Sequence, residues 1–196
     1  MTSDRLTLVD WRVRVADLYA RVRAQADPLD GHRLWREGRA ELFAHHPQSP
    51  TERWETRDSV PYWPYDPRWR FEVPLLDAEP AELLAPGGDD GTVTLRRTGR
   101  VDLPGVGSLD VWWLDQYAGG VFVPLKDATS GTTSYGGGRY LLDTAKGAWL
   151  GGEDGTVVLD LNFAYHPSCR YDPRWICPLA SPGNTVGVAV EAGERL

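Results

Sequence analysis

The spacing of apolar residues changes along this chain, from a helical period in the first quarter to a period of two beyond residue 70. Trp11, Val15, Leu18, Tyr19 and Val22 recur at three- and four-residue steps, with Arg12, Arg14, Asp17, Arg21 and Arg23 between them. That spacing predicts an amphipathic helix whose apolar stripe packs on the body of the protein. Thr7 and Asp10 have the spacing of a capping box, which places the helix start there, and Asp27-Pro28 closes it. A second helix is expected from about Asp30 to Ala44, with Leu34, Trp35, Leu42 and Phe43 inward and Gly38 weakening its middle.

From Arg70 the alternation sets in, with Phe71, Val73 and Leu75 set against Arg70, Glu72 and Pro74. Thr92 to Arg96 alternates likewise, and Thr98-Gly99 reads as a turn into Val101 to Leu103. Pro104-Gly105 and Gly107 separate that strand from Leu109 to Gln116, and Ala118-Gly119-Gly120 turns into Val121 to Val123. Further strands are expected at Arg139 to Asp143 and Thr156 to Ala164, with a last one at Val186 to Glu191. Short strands with turn signals at this density predict an antiparallel meander. The fold expected is mainly β (α+β): about eight strands curled into a barrel or sandwich, since closure removes exposed edges, behind two N-terminal helices. All 196 residues fit one domain, with a helical segment over 1–46, an extended segment over 47–69 and a β-rich body over 70–196.

The extended segment follows from composition. Nine Trp and 15 Pro are unusual for 196 residues, and many cluster between Pro47 and Pro74. Proline there excludes a long helix and the centre of a sheet. A pentapeptide occurs twice, Tyr65-Asp66-Pro67-Arg68-Trp69 and Tyr171-Asp172-Pro173-Arg174-Trp175, without similarity in its flanks. It reads as two independent turns of similar chemistry. A formal charge of -7 and a pI near 5.1 argue against nucleic-acid binding. No apolar run approaches the roughly 18 residues of a membrane span, and the N-terminus does not read as a secretory signal, so the expected location is cytoplasmic.

The second half of the chain resembles an uncharacterised bacterial family known only as a domain of unknown function. The resemblance rests on Lys126-Asp127-Ala128-Thr129-Ser130-Gly131, Tyr135-Gly136-Gly137-Gly138-Arg139-Tyr140 and Leu159-Asp160-Leu161-Asn162-Phe163-Ala164-Tyr165. It continues through Cys169, Cys177-Pro178 and Ala192-Gly193-Glu194, and reaches back to His46-Pro47-Gln48-Ser49-Pro50 and Pro64-Tyr65-Asp66. It implies no activity or cofactor. Such proteins often carry Asn where this chain has His166, which argues against His166 as a shared catalytic group.

Polar and ionisable residues crowd between Val121 and Asn184, and buried polar groups each need a partner. Alternation puts Val157, Leu159, Leu161 and Phe163 on one face of their strand and Val158, Asp160 and Asn162 on the other. Asp160 and Asn162 point either to solvent or into a polar cavity. If neighbouring strands pair, Arg139 reaches Asp160 in a charge-assisted contact, with Tyr140 and Tyr165 completing a ligand-binding set. Candidates for acid–base or nucleophilic chemistry are Asp127, Ser130, Asp160 and His166, without a complete catalytic set among them. The glycine-rich loop from Asp127 to Gly138 does not match a phosphate loop and reads as a flap over a pocket mouth or a turn-rich connection. Cys169 and Cys177 are expected as free thiols, with a disulfide possible, and with His166 they make too few ligands for zinc, so no metal and no cofactor are expected.

A small organic ligand held in a barrel-like body is the leading expectation. The alternatives are a metal-independent hydrolase or isomerase using the same pocket, and a structural or partner-binding domain. Oligomeric state is left open.

Overall fold

Two helices and seven strands account for the change of period, in a computed structural model that describes residues 2–51, 60–87 and 91–196. Helix α1 (Thr2–Arg23) begins ahead of the expected capping box. Thr7 lies inside the helix, where its hydroxyl donates to the Asp4 carbonyl at 2.9 Å, and Asp10 instead meets Arg14 at 2.8 Å and His46 at 3.0 Å. Leu18, Tyr19 and Val22 are buried, while Trp11 and Val15 are half-buried. Asp27 does not close α1 but caps α2 (Pro28–His45). Its carboxylate accepts the Leu29 N–H at 2.9 Å, and Pro28 sits in the first turn, where a missing N–H costs nothing. Gly38 is no weak spot. A Cβ there would lie 2.6 Å from Leu18 Cδ1, so the glycine is where the two helices cross.

Seven antiparallel strands follow: β1 (Arg70–Pro74), β2 (Glu82–Pro86), β3 (Thr92–Leu103), β4 (Gly107–Leu114), β5 (Val121–Leu125), β6 (Arg139–Asp143) and β7 (Thr156–Asp160). They form two sheets, a five-stranded one in the order β2-β3-β4-β5-β6 and a two-stranded one pairing β1 with β7. The arrangement is sandwich-like. Single bridges, Leu76 to Arg100 and Tyr140 to Tyr165, tie the sheets together, yet β6 and β7 do not pair and no barrel closes. Between the sheets lies an aliphatic core that includes Val101, Leu109, Val123, Leu141, Leu159 and Leu161. Helices α1 and α2 close a second core with Leu18, Trp35, Val158 and Phe163.

Several boundaries differ from the expectation for physical reasons. Thr98-Gly99 is not a turn: β3 runs through it as one strand with an irregularity between Arg97 and Gly99. Strand β2 alternates in burial but not in residue type, since its Glu-Leu-Leu-Ala run reads as helix formers, which hid it. Strand β7 ends at Asp160, because that side chain accepts the Asn162 N–H at 3.0 Å and turns the chain into a 3-10 turn, Leu161–Phe163. The turn swings Phe163 away from the face of Leu159 and into the helix-side core. Val186 to Glu191 is not a strand. Two backbone bonds, from the Val186 N–H to the Lys126 carbonyl and from the Ala128 N–H to the Val188 carbonyl, stop short of a ladder, and side chains hold the rest, with the Val190 N–H on Asp127 at 2.7 Å and its carbonyl taking Arg139 at 2.9 Å.

Part of the Pro/Trp-rich segment, 52–59, lies outside the described residues. The two pentapeptides fold alike: Asp66 accepts the Arg68 N–H and Asp172 the Arg174 N–H, both at 2.9 Å. Each also aims its tyrosine at a buried carboxylate, Tyr65 at Asp160 (3.4 Å) and Tyr171 at Glu194 (2.7 Å).

Candidate functional site

The residues singled out from sequence fall into three networks, two of which touch at the Glu194 backbone carbonyl. Arg139 on β6 is buried and does not reach Asp160. Its Nη2 donates to Asp127 at 3.3 Å and its Nη1 to the carbonyls of Ala192 and Glu194, with Trp63 stacked 5.1 Å from the guanidinium. Burial pushes the Arg139 pKa down, opposed by the Asp127 charge. Asp127 also takes the Thr129 hydroxyl at 2.9 Å and that of Ser130 at 3.3 Å, so Ser130 serves its own loop. The loop is knotted on itself, since the Thr129 carbonyl accepts the N–H groups of Thr132, Thr133 and Ser134. Those amides are spent, and it offers no anion cradle there.

Asp160 belongs to the second network. Asn162 gives it a backbone N–H at 3.0 Å and its Nδ2 at 2.8 Å, Tyr65 adds a hydroxyl, and Arg70 stands 3.6 Å away. Burial raises the Asp160 pKa, against the pull of those hydrogen bonds and of Arg70. Asn162 is further held by the backbone N–H and carbonyl of Asp66. The expected Arg139–Asp160 pair is absent because β6 and β7 lie in different sheets, each paired with another strand.

The third network was not legible as a site. It centres on Glu194, whose side chain is fully buried. Arg39 from α2 donates to it through Nε at 2.5 Å, Tyr171 through its hydroxyl at 2.7 Å, and the His166 N–H at 2.6 Å. Burial alone would raise the Glu194 pKa, but the Arg39 charge and the hydrogen bonds from Arg39 and the His166 backbone N–H outweigh it and hold the carboxyl below its ordinary value. His166 is buried too. Its Nε2 accepts the Tyr135 N–H at 3.2 Å and its Nδ1 faces Glu194 at 3.5 Å, so the ring is held neutral with both nitrogens engaged. Burial drives its pKa down to about 4.

Above this network the helices and the β body border a partly open cavity of about 70 Å³. Trp11, Tyr19, Trp35 and Phe43 line it from the helices, and Tyr140, Tyr165 and Tyr171 from the body, with Arg39, Lys146 and His166 among them. Tyr140, Tyr165 and His166 of the expected set therefore meet here, whereas Asp127, Ser130, Arg139, Asp160 and Asn162 do not line it. Donors dominate its polar groups. The Tyr19 hydroxyl is buried without a hydrogen-bond partner; Trp35 is close enough to influence its pKa, yet no group reaches bonding geometry. Burial raises the pKa of that phenol, so it stays a donor. Arg39 commits only Nε to Glu194, and its guanidinium lies 4.4 Å from the Phe43 ring centre and 4.7 Å from that of Tyr165. Lys146 stands 3.3 Å from Asp143, half-exposed.

Residues 56–195 match the family described as a protein of unknown function, DUF1684. The chain belongs to this family. Among solved structures it is similar to the solution NMR structure of an uncharacterised protein from gene locus rrnAC0354 of Haloarcula marismortui. The two share 34% sequence identity over 80% of this chain and 87% of that chain, with a TM-score of 0.54. No curated protein matches.

Within this DUF1684 chain no hydrolytic machinery is assembled around the four candidates, since Asp127 with Ser130, Asp160 and His166 each serve different partners. Among the described residues no cluster of three or more His, Cys, Asp or Glu could hold a metal ion, and no helix is long and apolar enough to cross a membrane. Sequence reasoning missed Arg39, Lys146, Tyr171 and Glu194, and took Tyr19 only as core. Two signals were available, the Ala192-Gly193-Glu194 run and the second copy of the repeated pentapeptide, which opens on Tyr171.

Proposed function

We propose that this protein binds a compact organic acid in the cavity between its N-terminal helices and its β body. The unpartnered Tyr19 hydroxyl, buried at the wall of an aromatic cavity, carries the reading, because a buried polar group without a partner costs about 1–3 kcal/mol and a ligand acceptor removes that cost. Arg39 and Lys146 add positive charge on the same wall, and aromatic rings supply the rest. A donor-rich, ring-lined space favours a carboxylate on a small apolar body.

Size narrows the class. About 70 Å³ is several times the ~10–15 Å³ that one water needs, yet far below the ~300 Å³ at which drug-sized pockets begin. A short branched carboxylate fits this better than a large metabolite. An enzymatic role draws no support from His166, because its acceptor nitrogen is taken by Tyr135.

Saturation-transfer NMR with isobutyrate and isobutyramide tests the reading. Isobutyrate should bind with an affinity on the order of millimolar, as expected for so few atoms, and the amide, which brings donors to a wall of donors, should bind more weakly. Val15→Phe fills the cavity from α1 and should abolish the signal while leaving the fold intact. Equal signals from wild type and Val15→Phe would refute it.

A further inference from the structure

Helix α1 carries a second apolar stripe that the fold leaves uncovered. Leu6, Val9 and Val13 are 67%, 56% and 52% exposed, although all three lie well inside regular helix. Steps of three and four residues set them in one line along it. At about 100° per residue, that line runs on the side of α1 away from Leu18 and Val22, which face the body. The helix is therefore apolar on two opposite sides, and only one of them is packed. The uncovered stripe has the spacing of a heptad, with Leu6 and Val13 at a and Val9 at d. Ala16 takes the next d position, where the turn at Gly147 comes close to its backbone and closes the seam.

The flanks of the stripe are charged, each with its own sign. On the same heptad Arg5 and Arg12 are g residues, and Asp10 and Asp17 are e residues. All four are exposed. The side chains of Arg5, Arg12 and Asp17 make no salt bridge or hydrogen bond among the described residues. Asp10 commits Oδ2 to both Arg14 (2.8 Å) and His46 (3.0 Å), and its Oδ1 takes neither.

We infer that this face is an interface between two copies of the chain, which pair their α1 helices side by side and in parallel about a two-fold axis. Charge selects both the partner and the direction. In a parallel pair each g residue meets the e residue of the next heptad across the seam. Arg5 then meets the partner's Asp10 and Arg12 the partner's Asp17, and the two-fold axis repeats both pairs. In an antiparallel pair g meets g and e meets e, so arginine would face arginine and aspartate would face aspartate. An anionic membrane surface would suit the arginine flank and repel the aspartate flank. A second copy of this chain satisfies both flanks at once. Each body packs on the side of α1 turned away from the axis, so the two stand apart. The cavity lies on that side too, lined by Trp11, Val15 and Leu18, and pairing leaves it uncovered.

The seam is short, which places the association at the weak, reversible end of protein interfaces, with a Kd of roughly 10–100 μM. Sedimentation velocity of the full chain over roughly 5–500 μM brackets that affinity, and wild type should pass from monomer toward dimer across it. Arg12→Asp and Asp17→Arg each set like charges against one another, so either variant alone should dimerise at least about tenfold more weakly. Mixed in equal amounts, the two variants regain both pairs and should associate about as tightly as wild type. Both positions are exposed, so thermal melts of the separate variants should match wild type, which distinguishes lost pairing from lost fold. A wild type that stays monomeric over the whole range would overturn the proposal, whether or not it co-sediments with phosphatidylglycerol vesicles. A mixture no more associated than its components would overturn it as well. Tighter self-association of Arg12→Asp alone would mark antiparallel helices, since that change sets an aspartate against the partner's Arg5, and would equally contradict the proposal.

Discussion

Arg139, Asp160 and Glu194 are each buried and charged, and each meets a different set of partners. Their side chains could be foreseen as needing partners, because a buried charge is tolerated only when paired and hydrogen-bonded. Which partners could not. Asp127 and Arg139 lie in one short stretch of sequence and meet, whereas Asp160, equally near in the sequence pattern, is claimed by Tyr65 and Arg70 from the other end of the chain. Arg139→Met should cost about 3–5 kcal/mol in urea denaturation, since it strands Asp127 and three backbone carbonyls. The histidines make a second prediction. Burial lowers the pKa of His32 and His166 from 6.5 to about 4. Between those values the unfolded chain binds protons that the folded chain refuses, so stability is full above pH 6.5 and falls as pH drops toward 4. Each histidine contributes a slope of about 1.4 kcal/mol per pH unit in that window, while the raised Asp160 carboxyl works the other way. His166→Asn keeps an acceptor for the Tyr135 N–H and removes the titration, so denaturation midpoints measured from pH 7 to 4 should fall about half as steeply.

At the level of elements the helical and strand periods were legible where one face is buried and the other wet. Helix α1 and strand β3 carry such faces, with Leu18, Tyr19 and Val22 packed on the one and Val93, Leu95, Val101 and Leu103 on the other, while β5 and β6 are buried on both faces. Strand β7 is likewise buried on both faces, so alternation assigned Asp160 and Asn162 to a face without saying what covers it. The covering is helix α2 together with the Tyr65 turn, and their approach is a tertiary fact no local pattern carries. The seam between α1 and the body, packed through Leu18, Tyr19 and Val22, has one close backbone approach at a glycine. Gly147 has φ 87°, and a Cβ there would fall 2.8 Å from the Ala16 backbone nitrogen of α1. Gly147→Ala combines a left-handed conformation with a clash against backbone that cannot turn aside. It should cost at least about 2 kcal/mol by chemical denaturation, and should loosen α1 from the body, raising amide exchange along α1 more than along β3. An unchanged α1 exchange rate would show that the helix is not seated through this contact.

For the whole molecule, the claim is that two helices laid on a sandwich-like body leave a ring-lined, donor-rich space, and that this space holds a small acid. The family and its Haloarcula marismortui relative give the fold a context and assign it no role. Cavity-lining tryptophans make the claim directly observable. Trp11 and Trp35 line the space, whereas the Trp112 indole N–H is bound to Asn184 at 2.7 Å in a separate part of the core. Titration of the 15N-labelled protein with isobutyrate, followed through the indole N–H signals, is the most direct test. The account predicts saturable shifts of the Trp11 and Trp35 signals, a static Trp112 signal, and loss of the response in Tyr19→Phe. Shifts confined to other tryptophans, or no saturable shift at any concentration up to the solubility of the acid, would contradict it.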